Sequence, residues 1–166
     1  EKPDWVVVVG DVNATSACSQ VASRLGVRVA HIEAGLRSYD MDMPEEHNRL
    51  VTDSLSSLLL TPDRIASKIL LEEGKNPQAI VFVGNIMIDT LEEQRNKAAA
   101  LNLNFIIKEN KLSSTPISRD AHLDLENGNF AFITLHRPSN VDDKEILAPI
   151  IDFFCNEVAL DMTLIW

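Results

Sequence analysis

"DWVVVVGDVNATSACSQVASRLGVRVAHIEAG", residues 4–35, decides the fold. Its first eight residues are a β-branched apolar run closed by Gly10-Asp11, the pattern of a strand buried on both faces of a sheet. The stretch after it spaces Ala17, Val21, Ala22 and Leu25 as a helix does, with Asn13 or Thr15 as cap and Gly26 as stop. Residues 27–35, "VRVAHIEAG", return to strand. Strand, helix and strand at this length form a right-handed crossover between parallel strands.

The alternation continues outward from there. "MPEEHNRLVTDSLSSLLL" opens a second helix at Pro44, with Leu50, Val51, Leu55 and Leu58 as its apolar face. "SLLLTP" is partly strand, "DRIASKILLEEG" is a helix stopped by Gly74, and "AIVFVGN" (79–85) is another buried strand. A helix from Ile86 reaches about Ala100. Residues 104–129 are polar and weakly periodic, with Pro116 and Gly128 among them and a helix near Asn102–Lys111. "NFAFITLHRPSN" (129–140) restarts strand and loop, "DDKEILAPIIDFFCNEV" is a helix, and "MTLIW" is a strand. The fold class is α/β with a parallel sheet.

Bulk properties narrow the partners. A chain of 166 residues with 45% hydrophobic content builds one ordinary domain, or two small or incomplete ones. A net charge of -10 argues against nucleic acid or an anionic membrane as partner. No run of eighteen apolar residues exists. Cys18 and Cys155 lie far apart outside any CxxC pattern, and read as reduced core residues of a cytoplasmic protein. The chain opens on Glu1 and closes on a strand-like "DMTLIW", so it is expected to be part of a longer polypeptide.

Ligands of open parallel sheets bind beyond the carboxyl ends of the strands. Three such ends carry reactive groups: Gly10-Asp11, His31-Ile32-Glu33 and His136-Arg137. Neighbouring strands lie about 4.8 Å apart, so Asp11 and Glu33 can reach one ligand. Two close carboxylates repel when both are ionised, which leaves one proton donor and one acceptor. Simpler roles stand beside these: Asp11 as a turn former, Glu45 and Glu46 as first-turn acids that suit the helix dipole, and Glu45 with Arg49 as an ordinary i,i+4 surface pair. The first turn favours ionised carboxyls, so Glu45 suits a base or charge stabiliser. His47 and His122 have no special context. A binuclear metallophosphoesterase also uses Gly-Asp and Gly-Asn, but "GDVNAT" and "GNIMID" lack its further ligands. A receiver domain needs its acidic pair after the first strand, and neither GxGxxG nor a P-loop occurs.

Together "GDVNAT", "HIEAGLRSYDMDMPEEHNR", "VFVGNIMIDTL" and "TLHRPSNVDD" resemble the non-hydrolysing UDP-N-acetylglucosamine 2-epimerases, in that family's order along nearly the whole chain. The resemblance implies a glycosyltransferase-B-like pair of Rossmann-like domains, present only in part. Residues 1–100 would form the rear of the first, 101–128 a linker region, and 129–166 the front of the second. It implies interconversion of UDP-GlcNAc and UDP-ManNAc, with no cofactor and no metal, and a homodimer at full length. Asp11, Glu33 and Glu45 match the family's acid/base carboxylates, and His136 joins them as a catalytic residue. Arg37, Arg49, His136, Arg137 and Asn140 match substrate-binding positions. The family usually reads Gly-Asp-Thr where this chain has "GDV", which leaves the carboxylate intact.

Two other readings stand beside it. A hydrolysing epimerase would release free ManNAc, but carries Gly-Gly-Glu where this chain has Glu-Ala-Gly; close relatives acting on other UDP-sugars share these motifs. A non-catalytic nucleotide-binding fragment is the reading of another class. Two family segments that hold nucleotide, one before Glu1 and one after Trp166, are not in the sequence. These 166 residues alone are therefore expected not to epimerise UDP-GlcNAc, and chromatographic detection of UDP-ManNAc after long incubation would contradict this.

Overall fold

Four parallel strands stand side by side in the order the chain makes them: β1 (Trp5–Val9), β2 (Arg28–Ile32), β3 (Leu58–Thr61) and β4 (Ile80–Phe82). They are joined by helices α1 (Asn13–Arg24), α2 (Pro44–Leu55) and α3 (Arg64–Glu72). The structure is a computed structural model that describes residues 3–110 and 130–166. Contacts divide the chain into two units, Glu1–Arg95 and Asn96–Trp166. The expected linker features between residues 111 and 129, with His122, Pro116 and Gly128, lie outside the described residues.

The sheet order explains which faces are covered. Successive right-handed crossovers between adjacent strands put every connecting helix on the same face. The register sets Val8 beside His31, His31 beside Leu59 and Leu59 beside Ile80, so these side chains share that face. Val8 and Val29 pack with Ala22 of α1, and Leu59 packs with Leu70 of α3. Trp5, Val7 and Val9 alternate to the other face and are exposed, as is Val81 on β4. This corrects the expectation that 4–11 and 79–85 are strands buried on both sides. An apolar run shows what a strand tolerates, whereas the crossover order decides what covers it among the described residues.

The helices also bury faces other than their apolar ones. Val21 of α1 and Leu25 just past its end are exposed, while Thr15, Ser16, Ser19 and Ala22 are buried. Their small side chains admit close packing, and their hydroxyls stay paired: Thr15 Oγ1 donates to the Val9 carbonyl at 2.7 Å, and Ser19 Oγ to the Thr15 carbonyl at 2.8 Å. Neither Asn13 nor Thr15 caps the helix, because Val12 occupies that position. On α2 the buried residues are Glu46, Arg49, Thr52 and Asp53, and Leu58 belongs to β3. Helix α3 follows its prediction, with Asp63 accepting from the Ala66 N–H at its start.

Helix α4 (Ile86–Ala99) follows β4. The second unit contains α5 (Leu103–Asn110), a parallel pair β5 (Phe130–Phe132) and β6 (Thr163–Ile165), a single turn α6 (Pro138–Val141), and α7 (Lys144–Asn156). Strand, helix and strand recur here in the predicted order. Phe154 meets Trp166 edge-on at 6.0 Å. Cys18 and Cys155 are exposed, not core residues as expected, since each falls on the outward side of its helix. No described helix is long and apolar enough to cross a membrane.

Gly35 fixes how closely α3 approaches the end of β2. Its φ is +84°, and a Cβ there would stand 2.6 Å from the Ala66 carbonyl oxygen. Neither the backbone angle nor that contact can relax cheaply, so Gly35→Ala is expected to destabilise the fold by about 2–4 kcal/mol. A lower urea midpoint at unchanged slope would report it.

Candidate active site

The chemistry gathers where β1 and β2 end together. Val9 stands beside Ile32, and the Gly10 N–H donates to the Ile32 carbonyl at 3.1 Å. Both chains then turn left-handed, Gly10 at φ 69° and Glu33 at φ 71°. Glycine tolerates this, but for a glutamate it costs about 1–3 kcal/mol and persists only where neighbouring bonds over-determine it. Those bonds are present: the Ala34 N–H reaches the Leu60 carbonyl at 3.1 Å and the Gly35 N–H reaches Asp53 Oδ2 at 3.1 Å. The turn folds Glu33 over β1, so that a Cβ on Gly10 would lie 3.4 Å from Glu33 Oε2. Asp11 is the next residue along.

Helix α2 brings a second layer of charge. Arg49 Nη1 donates to Asp11 Oδ2 at 2.5 Å, while its Nε and Nη2 grip Glu46 Oε2 at 2.9 and 2.7 Å. Asn48 donates to the Asp11 carbonyl and to Asn13, each at 2.9 Å, which ties α2 to the turn after β1. Glu46, 1% exposed, also receives the Ser38 and Tyr39 backbone N–H groups and the Ser38 hydroxyl. Burial pushes the Glu46 carboxyl up, but the Ser38 N–H, Arg49, the Tyr39 N–H and the Ser38 hydroxyl outweigh it. They hold it down at about 2. The loop 36–43 is thereby fastened at Ser38 and Tyr39, and again where His47 Nε2 donates to the Met41 carbonyl at 2.8 Å.

Beneath both turns lies a buried ionic cluster. The His31 ring has Nδ1 at 2.6 Å from Asp53 Oδ1 and Nε2 at 2.9 Å from the Gly10 carbonyl. Asp53 Oδ2 meets Arg37 Nη1 at 2.7 Å as well as the Gly35 N–H. Arg37 then clasps Glu73 through Nε and Nη2, both at 2.7 Å. Burial alone would lower the Arg37 proton affinity; Glu73 and Asp53 reverse this and raise it above the ordinary range. His31, Asp53 and Arg37 each meet more than one polar partner, which is what buried charges require, while Glu73 reaches Arg37 from a more exposed position.

Asp11, Glu33 and Arg49 are thus grouped at one strand end. Glu45 sits half-buried in the first turn of α2, and neither it nor Glu33 has a polar partner among the described residues. The expected Glu45–Arg49 surface pair is not formed, because Arg49 turns to Glu46 and Asp11 instead. The Arg37 side chain is 1% exposed, and four of its contacts go to protein, which makes it part of the buried framework. In the second unit, exposed His136 and Arg137 lie past the end of β5, where Arg137 precedes α6 and accepts from the Asn140 N–H at 2.8 Å. Sequence reasoning missed Glu46, Ser38, Asp53 and Glu73. The spacing of Glu46, Arg49 and Asp53 at i, i+3 and i+7 could have shown three charges on one helical face. Among the described residues no group of three His, Cys, Asp or Glu side chains is set to hold a metal.

A parallel α/β unit with carboxylates at adjacent strand ends carries reactive groups where such sheets bind their ligands. A family profile described as UDP-N-acetylglucosamine 2-epimerase matches residues 1–166, and the chain belongs to that family. It is similar to the UDP-N-acetylglucosamine 2-epimerase of Methanocaldococcus jannaschii, 45% identical over 152 residues, covering 92% of this chain and 38% of that protein. It is also similar to the UDP-2,3-diacetamido-2,3-dideoxy-D-glucuronate 2-epimerase of Pseudomonas aeruginosa, 39% identical over 164 residues, covering 98% of this chain and 40% of that protein. The crystal structure of the M. jannaschii enzyme with UDP-GlcNAc and UDP superimposes with a TM-score of 0.77 at 39% identity, covering 99% of this chain and 41% of that one. The chain therefore spans about two fifths of the relatives it matches.

The Glu46 clamp has a pH signature. Its folded carboxyl titrates at about 2 against 4.5 unfolded, so its contribution is complete above pH 4.5 and vanishes as pH falls through 2. That difference corresponds to about 3 kcal/mol. Glu46→Gln is expected to be less stable at neutral pH, with the gap to wild type closing in that acid window when both are unfolded in urea.

Proposed function

We propose that the full-length protein is a non-hydrolysing UDP-GlcNAc 2-epimerase acting on UDP-GlcNAc and UDP-ManNAc. The observation that supports this best is the convergence of Asp11 and Glu33 at adjacent strand ends, with Glu33 held over Gly10 by a left-handed turn. The hydrogen on C2 of the sugar is not α to a carbonyl, so removing it directly leaves an unstabilised carbanion. Breaking the C1–O bond first sends its electron pair onto UDP and builds oxocarbenium character at C1. A carboxylate then takes the acidified C2 proton, and the C–H pair becomes the double bond of 2-acetamidoglucal. Protonating C2 from the opposite face while UDP re-adds at C1 inverts the centre.

That sequence needs two acid/base groups on different sides of the ring, and Asp11, Glu33 and Glu45 are the candidates. Arg49 holds Asp11 by one oxygen, which leaves Oδ1 for a ligand. Arg137 and His136 supply donors for the departing diphosphate, and Asn140 lies one turn further on. The reading carries with it a cytoplasmic enzyme, homodimeric and working without cofactor, with glycosyltransferase-B-like domains divided near residues 101–128. The Pseudomonas relative supports a second substrate, a UDP-diacetamido uronic acid.

Incubating the full-length protein with UDP-GlcNAc in D₂O tests this. Deuterium at C2 with UDP retained is expected; free ManNAc would indicate hydrolysis, no exchange a binding module, and exchange only with the uronic acid the second substrate. Asp11→Asn and Glu33→Gln should each lower kcat by about 10²–10⁴-fold.

A further inference from the structure

We infer that His31, held by Asp53, is a positioning residue that sets the two carboxylate-bearing turns against each other. This rests on the epimerase reading above. His31 touches neither carboxylate. Its Nε2 donates to the carbonyl of Gly10, the residue before Asp11, at 2.9 Å. Its Nδ1 shares a proton with Asp53 Oδ1 at 2.6 Å, and the other oxygen of Asp53 accepts the N–H of Gly35, two residues beyond Glu33. One imidazole and one carboxylate thereby bridge the left-handed turn at Gly10 to the left-handed turn at Glu33. The ring and Asp53 are 0% and 1% exposed.

The arrangement is over-specified for mere packing. An apolar side chain in the place of His31 would bury surface equally well, but it would leave the Gly10 carbonyl and Asp53 each short of a partner. Both ring nitrogens face oxygen acceptors, so ring and carboxyl together hold two protons for two fixed bonds. The bond to Gly10 sets the direction of the Gly10–Asp11 peptide. Arg37 braces Asp53 from the far side and passes the constraint to Glu73, just past the end of α3. The spacing between a proton donor on one face of a sugar ring and an acceptor on the other is then set by buried contacts. Displacing one turn by about 1 Å costs up to about 100-fold in rate.

Two replacements separate the two bonds of the ring in the full-length enzyme. His31→Gln extends an amide N–H to about where Nε2 stood and keeps the Gly10 contact, while His31→Asn reaches Asp53 but not Gly10. His31→Asn is expected to lower kcat about 10–100-fold with KM for UDP-GlcNAc within about threefold. It should also release free UDP and 2-acetamidoglucal at least about tenfold more often per turnover, because the returning proton is misaligned. His31→Gln, which gives up Asp53 instead of Gly10, should show the same kcat loss and the same shift in partitioning. Wild-type kcat and partitioning in either folded variant overturns the inference, as does a loss that falls on KM with kcat unchanged. If one variant does not fold by circular dichroism, the other decides alone on the same criterion. C2 deuteration by the wild type in the same experiment separates a failure here from a failure of the epimerase reading, which shows as no exchange at all.

Discussion

A fully buried carboxylate, that of Asp53, is the constraint on which the strand ends depend. An isolated charge there would cost several kcal/mol in desolvation. It is tolerated because His31, Arg37 and the Gly35 N–H all point donors at it. All three partners lie within residues 31–37, so satisfying one charge aligns the end of β2, the turn after it and the loop beyond. Arg37 extends the alignment to Glu73. Directional bonds thus do at the carboxyl end of the sheet what valine and leucine do beneath its middle, where Val8, Val29, Leu59 and Leu70 are packed.

Helix α2 is the element that makes this possible, and it does so by reversing the usual arrangement. Its charged stripe faces inward, with Glu46 and Arg49 towards the loop and Asp11, and Asp53 towards β2. The two halves of the stripe have separate tasks. Glu46 gathers the backbone of Ser38 and Tyr39, closing the loop against the helix start, while Asp53 works about two turns later on the strand ends. Arg49 stands between them and hands one donor to Asp11.

The α/β class, the strand–helix order and the strand-end positions of Asp11 and Glu33 were all legible in the sequence, because apolar runs and glycine stops are local signals. Which faces are covered was not legible. Trp5, Val7 and Val9 look as buried as Val8 until the strand order is known, and that order follows from non-local pairing. The inward stripe of α2 was misread for a related reason: half-buried Leu50, Val51 and Leu55 satisfy an amphipathic pattern, yet the partners that let Glu46, Arg49 and Asp53 be buried come from distant residues. Arg37 was legible as a conspicuous arginine, but its destination depends on Glu73, thirty-six residues away. Helical spacing alone did hold one unused clue, the three charges of α2 on a single side.

The left-handed backbone at Glu33 sets thermal robustness against chemistry at a single position. A glycine there would relieve the torsional penalty and remove the side chain in one step. Given the acid/base role proposed for Glu33, screening a mutant library for heat resistance alone would enrich inert proteins at this codon, and their melting curves would look like improvement.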